Sequence, residues 1–234
     1  MCLFVKGGDA DEIMVGASRS IHRRFMALRR KFWRVDMARP RLHDVQGTPL
    51  LVLPNVFDGV LTRTGVFLVE TLKDLDLQNA RVLDLGCGSG IGAVFAAQRG
   101  ARVIASDVNP AAARNTQINA LLAHHESRIE TRSGDLFETV RGEWFDLILF
   151  NPPYYRGAPR NAADAAWRSP DAFERFLREL PAQLAPRGRA RIVLSTDGAA
   201  ETMLTQASHL DRVIVRQRDF KNEILTVYDL FPQS

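Results

Sequence analysis

Four short segments of the 234-residue chain combine residue types that can do chemistry at a defined spacing. The first reads Asp84-Leu85-Gly86-Cys87-Gly88-Ser89-Gly90. Glycines permit tight turns and close backbone approach to a ligand, which makes Gly86 and Gly88 candidate binding residues. A dinucleotide loop spaces its glycines Gly-x-Gly-x-x-Gly. Here the run is Gly-x-Gly-x-Gly, and Asp84 stands two residues ahead of it, a placement that attracts a cation rather than a pyrophosphate. The second segment centres on Asp107, 21 residues after Gly86. A carboxylate there can accept hydrogen bonds from both hydroxyls of a ribose. The third is Gly134-Asp135-Leu136, with Asp135 placed to meet an adenine amino group. Singly, each acid reads as a helix cap or a turn residue. Together, at successive strand ends, they describe a nucleoside without phosphate that carries a sulfonium cation, which is S-adenosylmethionine.

The fourth segment, Asn151-Pro152-Pro153-Tyr154, follows an apolar run directly. Two prolines cannot continue a strand ladder, and Pro152 restricts Asn151 to extended backbone. The stiff turn holds two acceptors, the side-chain oxygen of Asn151 and the carbonyl of Pro152. A planar amide or aryl amino group has two N–H donors to match them. Such a pair draws the nitrogen out of full conjugation and exposes its lone pair to a methyl donor. Tyr154 supplies a flat face on which a planar acceptor can stack. Asn151, Pro152 and Tyr154 are thus the candidate catalytic residues. No general base is required, because transfer rests on alignment and electrostatic preorganisation.

These segments need elements to position them. Apolar and β-branched stretches predict strands over 81–85, 101–106, 128–133, 145–150 and 190–196, with 212–218 and 224–231 as a terminal antiparallel pair. Helical patterns cover 62–75, 91–99, 109–124, 170–184 and 198–209, whereas 40–54 reads as irregular or extended. Alternation of this kind predicts an α/β fold, a doubly wound, mostly parallel sheet of seven strands. Ligands in such sheets bind beyond the carboxyl ends of the strands, where all four segments fall. The domain reading is a basic helical extension over 1–54 and a catalytic domain over 55–234.

The set of strand-end acids resembles the class I S-adenosylmethionine-dependent methyltransferases, with their Rossmann-like fold. Asn-Pro-Pro-Tyr after the fourth strand resembles the enzymes that methylate amino nitrogens of adenine, cytosine or glutamine. Within that group the chain is most similar to the HemK-type protein-glutamine N5-methyltransferases, above all their short branch related to release-factor enzymes. The similarity covers about 55–230 and includes Ala165-Ala166-Trp167 and Glu223-Ile224-Leu225-Thr226-Val227. The resemblance implies that Asp84 and Gly86 line the methionine end of the cofactor and Asp107 the ribose. It implies that Asp135 and Leu136 flank the adenine and that Asn151 touches both cofactor and acceptor. Thr64, in Leu61-Thr62-Arg63-Thr64-Gly65, takes the place of a cofactor-contacting threonine, without the acid the family usually carries beside it. The implied acceptor is a protein glutamine, with a translation factor as the partner. The alternatives are adenine N6 or another nucleobase of RNA or DNA, or a small molecule.

Composition narrows the classes. An apolar fraction of 46% excludes a wholly disordered chain, and no apolar run approaches the roughly 20 residues of a membrane helix. Residues 1–11 do not read as a signal peptide. Cys2 and Cys87 are the only cysteines, which fits a reducing, cytoplasmic compartment. No Cys/His cluster has zinc spacing, so no metal is expected. Charge is concentrated early: 1–45 holds ten basic and five acidic residues, against a net +4 for the whole chain. Within 18–35, Ile21, Phe25, Leu28 and Phe32 form a helical stripe with arginines opposite. A basic arm of this kind suits an acidic partner such as nucleic acid.

Overall fold

The computed structural model describes residues 39–160, 162–196, 200–220 and 223–233. The basic helix expected over 18–35 lies outside the described residues. Pro40–Ser234 forms one compact unit.

That unit opens with a hairpin, β1 (Arg41–Val45) and β2 (Thr48–Val52), paired antiparallel with Val45 opposite Thr48. Its two-residue turn places both Gln46 (φ 54°) and Gly47 (φ 81°) in the left-handed region, as a type I′ turn demands. Residues 40–54, read on sequence as irregular or extended and grouped with the extension, are extended as this hairpin and belong to the Pro40–Ser234 unit. The missed signal is Gln-Gly in the place where Asn-Gly or Asp-Gly would announce such a turn.

Helix α1 (Thr64–Val69) and a 3-10 turn at Leu72–Asp74 replace the single helix expected over 62–75. The break falls at Thr71, whose hydroxyl donates to the Leu68 carbonyl at 2.6 Å. Regular alternation follows: β3 (Arg81–Leu85), α2 (Ile91–Gln98), β4 (Arg102–Asp107), α3 (Pro110–Leu122), β5 (Ile129–Ser133) and β6 (Phe145–Phe150). Asn109 caps α3 by accepting from the Ala111 N–H, with Pro110 at the first helical position. After β6 come two-residue strands β7 (Tyr155–Arg156) and β8 (Arg168–Ser169), separated by the short α4 (Ala162–Ala165). Helix α5 (Ala172–Glu179) passes into a 3-10 turn at Leu180–Gln183, where Pro181 removes an N–H from the ladder. The chain closes with β9 (Leu184–Ser195), α6 (Ala200–Gln206), β10 (Leu210–Asp219) and β11 (Ile224–Pro232).

Seven strands form one sheet in the order β10-β11-β9-β6-β3-β4-β5. Neighbours from β9 to β5 are parallel, and β11 runs antiparallel between β9 and β10. This is the doubly wound sheet expected from the alternation. Strand periodicity divides the core between two faces. Val82, Leu147, Leu149 and Val193 pack with Phe67 and Val94 on one side. Leu83, Ile148, Phe150 and Ile192 pack with Phe173 and Phe176 on the other. No helix among the described residues is long and apolar enough to cross a membrane.

Candidate active site

From β3 the chain winds outward through β4 and β5, then returns to lay β6 on the opposite side of β3. This reversal leaves a crevice beyond the carboxyl ends of β3 and β6. A cavity of about 320 Å³ lies there, lined by Gly86, Asp107, Asp135, Leu136 and Asn151 among others. Five residues from four separate segments of the sequence thus meet in one space.

The part of the wall around Gly86 and Asp107 is built on backbone geometry. Gly86 and Gly88 have φ of 64° and 52°, which an L side chain adopts only with strain. The Gly88 N–H is thereby aimed at Asp107 Oδ2, 2.9 Å away, and the Asn109 N–H donates to Oδ1 at 2.8 Å. Burial pushes the Asp107 carboxyl up, and these two N–H bonds oppose the shift. Each oxygen keeps lone-pair capacity for a ribose hydroxyl. Leu136 is held at φ 45°, a left-handed conformation that costs about 1 kcal/mol or more for a non-glycine residue. Its side chain shares the cavity wall with Phe150 and Val108, giving an apolar slot for a flat ring.

Asp135 lines the same wall, but its Oδ2 accepts from Arg175 Nη1 at 2.8 Å. Arg175, also in the wall, had no signal in the sequence because it lies forty residues from its partner. An ion pair through Oδ2 leaves Oδ1 able to accept. Asp84 is placed differently from the other acids. It is buried under the start of α2, with Oδ2 accepting the Ala93 N–H at 2.8 Å, and it is not part of the cavity lining. Burial pushes its carboxyl up to about 7, opposed by the Ala93 N–H and reinforced by the Asp107 charge. The donor set, with carboxylates and no phosphate cradle, fits a nucleoside cation. Asp107→Ala is expected to weaken S-adenosylmethionine binding by about 1.5–3 kcal/mol through loss of charge-assisted bonds. Calorimetric titration checks this, and an unchanged affinity would remove Asp107 from the ribose site.

Another part of the wall is the proline turn. Extended backbone alternates its side chains, so Asn151 and Pro153 face the cavity while Pro152 is buried behind them. Asn151 Nδ2 donates to Thr64 Oγ1 at 3.0 Å, and the Tyr154 hydroxyl donates to Asn151 Oδ1 at 2.8 Å. Thr64 therefore meets Asn151 and is not in the cavity wall. Burial raises the Tyr154 phenol far above its ordinary range. Its ring lies 6.0 Å from Trp167, which meets Phe57 edge-on at 5.0 Å. The Tyr155 N–H donates to the Trp167 carbonyl at 2.9 Å, so the β7–β8 pair fixes the indole and brings Ala165 and Ala166 into the cavity wall. Phe57, on the far side of the fold in sequence, carried no signal of its role.

Cys87 is buried and accepts from the Thr116 hydroxyl at 3.2 Å. Burial pushes its thiol well up, so it packs as a neutral side chain. Among the described residues no group of three His, Cys, Asp or Glu is placed to hold a metal ion.

The family model described as "Methyltransferase small domain" matches residues 48–224. A Methanocaldococcus jannaschii protein provisionally named a protein N5-glutamine methyltransferase is 31% identical over 68% of this chain and 83% of its own. A tRNA1(Val) (adenine(37)-N6)-methyltransferase of Shewanella halifaxensis is 31% identical over 63% of this chain and 60% of its own. Among solved structures, a T. Thermophilus 16S rRNA N2 G1207 methyltransferase in complex with AdoMet and guanosine superposes with a TM-score of 0.62 at 21% identity. It covers 83% of this chain and 50% of the other. Several further relatives are matched over only about half of their own length.

Proposed function

The chain belongs to the methyltransferase small domain family and is an S-adenosylmethionine-dependent methyltransferase, and from that premise we propose that its acceptor is the side-chain amide nitrogen of a protein glutamine. The observation that carries a planar nitrogen acceptor is Asn151 in the cavity wall, its amide fixed between Thr64 and the Tyr154 hydroxyl. An amide oxygen suits an N–H donor, while the Tyr154 and Trp167 rings lie behind the lining residues. What favours glutamine is the Methanocaldococcus relative, matched over most of both chains.

When bound, S-adenosylmethionine supplies a methyl group as an electrophile on positively charged sulfur. Asp107 is the residue for the ribose and Asp135 for the adenine edge, with Leu136 against the ring. Asn151 Oδ1 and the Pro152 carbonyl take the two N–H donors of the acceptor and turn its lone pair toward the methyl. The prolines hold that geometry before the acceptor arrives, which lowers the reorganisation needed in the transition state.

A nucleobase acceptor is the second reading, and one surface favours it. Arg63 stacks on Phe220 (5.4 Å), Arg218 on Phe220 and Phe67 (5.7 and 5.2 Å), and Arg216 on Phe67 (5.7 Å). Phe67 is buried and Glu70 pairs with Arg216 and Arg218, so the partly exposed arginines offer charge and not ring stacking to a phosphate backbone. Incubation of the purified protein with methyl-labelled S-adenosylmethionine and a cell extract separates the two. Protein glutamine predicts label that is lost to protease, survives nuclease, and is released as methylamine on acid hydrolysis. Label lost to nuclease would replace glutamine by a nucleobase.

A further inference from the structure

We propose that Thr62 and Thr64 are positioning residues for methyl transfer, a hydroxyl relay that fixes the Asn151 amide with its oxygen toward the acceptor. The inference rests on the reading of Asn151 as the residue that receives the acceptor N–H, and on no particular acceptor.

An asparagine amide has two orientations of nearly equal shape, one presenting oxygen and the other NH2. Only the first can receive an N–H donor. What decides between them is the set of groups around the amide. The Asp58 backbone carbonyl can only accept, and it takes the Thr62 hydroxyl at 3.0 Å. Thr62 has then used its single hydrogen. Its 3.1 Å contact with Thr64 Oγ1 must be donated by Thr64. Thr64 has in turn used its hydrogen, so across the 3.0 Å contact to Asn151 it accepts. The amide must therefore present Nδ2 to Thr64 and Oδ1 to the other side. There Tyr154 donates to Oδ1 at 2.8 Å, in agreement with the same orientation. A flipped amide would set two acceptors against each other at Thr64. Thr64 is 2% exposed, so no solvent exchange relieves that clash.

The far end of the relay is anchored. Asp58 is 2% exposed, and its carboxylate accepts from Arg41 Nε (2.8 Å), from the Leu61 N–H (2.9 Å) and from the Val60 N–H (3.2 Å). His43 Nε2 lies 2.9 Å from the same Oδ2. The direction of each bond is thus set from a fixed backbone carbonyl outward to the amide. The Tyr154 hydroxyl uses one lone pair of Oδ1 and leaves the second for an acceptor N–H.

The test compares Thr64→Val, Thr64→Ser and Thr62→Val in the full chain. The side-chain NH2 resonances of Asn151, identified by their loss in Asn151→Ala, are followed by 15N NMR and hydrogen exchange. In parallel, the initial rate of label transfer from S-adenosylmethionine into total macromolecule of the extract is measured. Thr64→Val is expected to speed exchange of the Asn151 NH2 and to lower the rate roughly 10–100-fold, the effect of one buried polar contact. Cofactor affinity by calorimetry stays at the wild-type value, Thr62→Val gives a smaller loss, and Thr64→Ser restores both readouts. Wild-type exchange and rate in Thr64→Val would overturn the proposal. So would failure of Thr64→Ser to restore them, or a loss of cofactor affinity that explains the rate. A misassigned glutamine acceptor leaves every one of these readouts intact, and active Asn151→Ala would refute the site reading separately.

Discussion

Asn151→Ala is expected to reduce methyl transfer by about 10²–10³-fold, the usual loss for one preorganised donor or acceptor at a reacting centre, with cofactor affinity close to that of the wild type. The expectation follows from where the side chain stands. Asn151 stands in the cavity wall, and under the proposed reading its Oδ1 and the Pro152 carbonyl each hold one N–H of the acceptor. Asp107, Asp135 and Leu136, proposed for the cofactor, are untouched by the change. The loss should therefore appear in turnover at saturating cofactor. Single-turnover rates with prebound S-adenosylmethionine check it, and near-full activity in the variant would exclude Asn151 from the reaction.

The second large effect is on stability. Arg191 and Asp229 face each other across β9 and β11, both nearly fully buried. The guanidinium donates from Nε and Nη2 to the two carboxylate oxygens, each at 2.7 Å, and from Nη1 to the Thr71 carbonyl at 2.6 Å. Asp229→Ala leaves a buried cation with that carbonyl as its main acceptor. Breaking one side of such a pair costs about 3–5 kcal/mol. For a domain of this size that corresponds to a Tm lower by roughly 6–20 °C. Replacing both, as Arg191→Met with Asp229→Leu, should recover most of the loss, because it removes the uncompensated charge along with the pair. Thermal unfolding of the single and double variants decides, and equal Tm values for wild type and Asp229→Ala would mean the pair is solvated or replaced.

Much of the site was legible because this fold stores its chemistry just after strands. Asp107 ends β4, and Gly86, Asp135 and Asn151 come just after β3, β5 and β6, so local patterns sufficed to place them at one end of the sheet. What stayed hidden depends on contacts between distant segments. Arg175 reaches Asp135 across forty residues, and no local spacing reports that. Thr64, assigned by resemblance to the cofactor, meets Asn151 because α1 packs beside the turn after β6. Tyr154 reads in sequence as a stacking face, yet its hydroxyl has a second task on Asn151. Asp84, given the methionine end by resemblance, lies buried beneath the start of α2 with Oδ2 on the Ala93 N–H, a contact that no local spacing reports. The hairpin was missed for a reason of chemistry, since Gln46 is an unusual residue for a left-handed turn position.

Strand β2 has its second edge closed from within the fold. One edge of β2 pairs with β1, and its remaining groups would ordinarily be open to any passing strand. Here two fully buried amides on α3 take them. Asn119 Oδ1 and Asn115 Oδ1 accept the Leu51 and Leu53 N–H at 2.8 and 2.6 Å, and both Nδ2 groups donate to the Leu51 carbonyl. The same two amides donate onward to the Ser89 carbonyl in the glycine loop. The pair stands in for a neighbouring strand without offering an edge of its own. A chain cut at residue 55 would lose more than a hairpin: it would turn two amides loose inside the fold. Replacing them with leucines would leave the Leu51 and Leu53 backbone groups part-buried and without those partners.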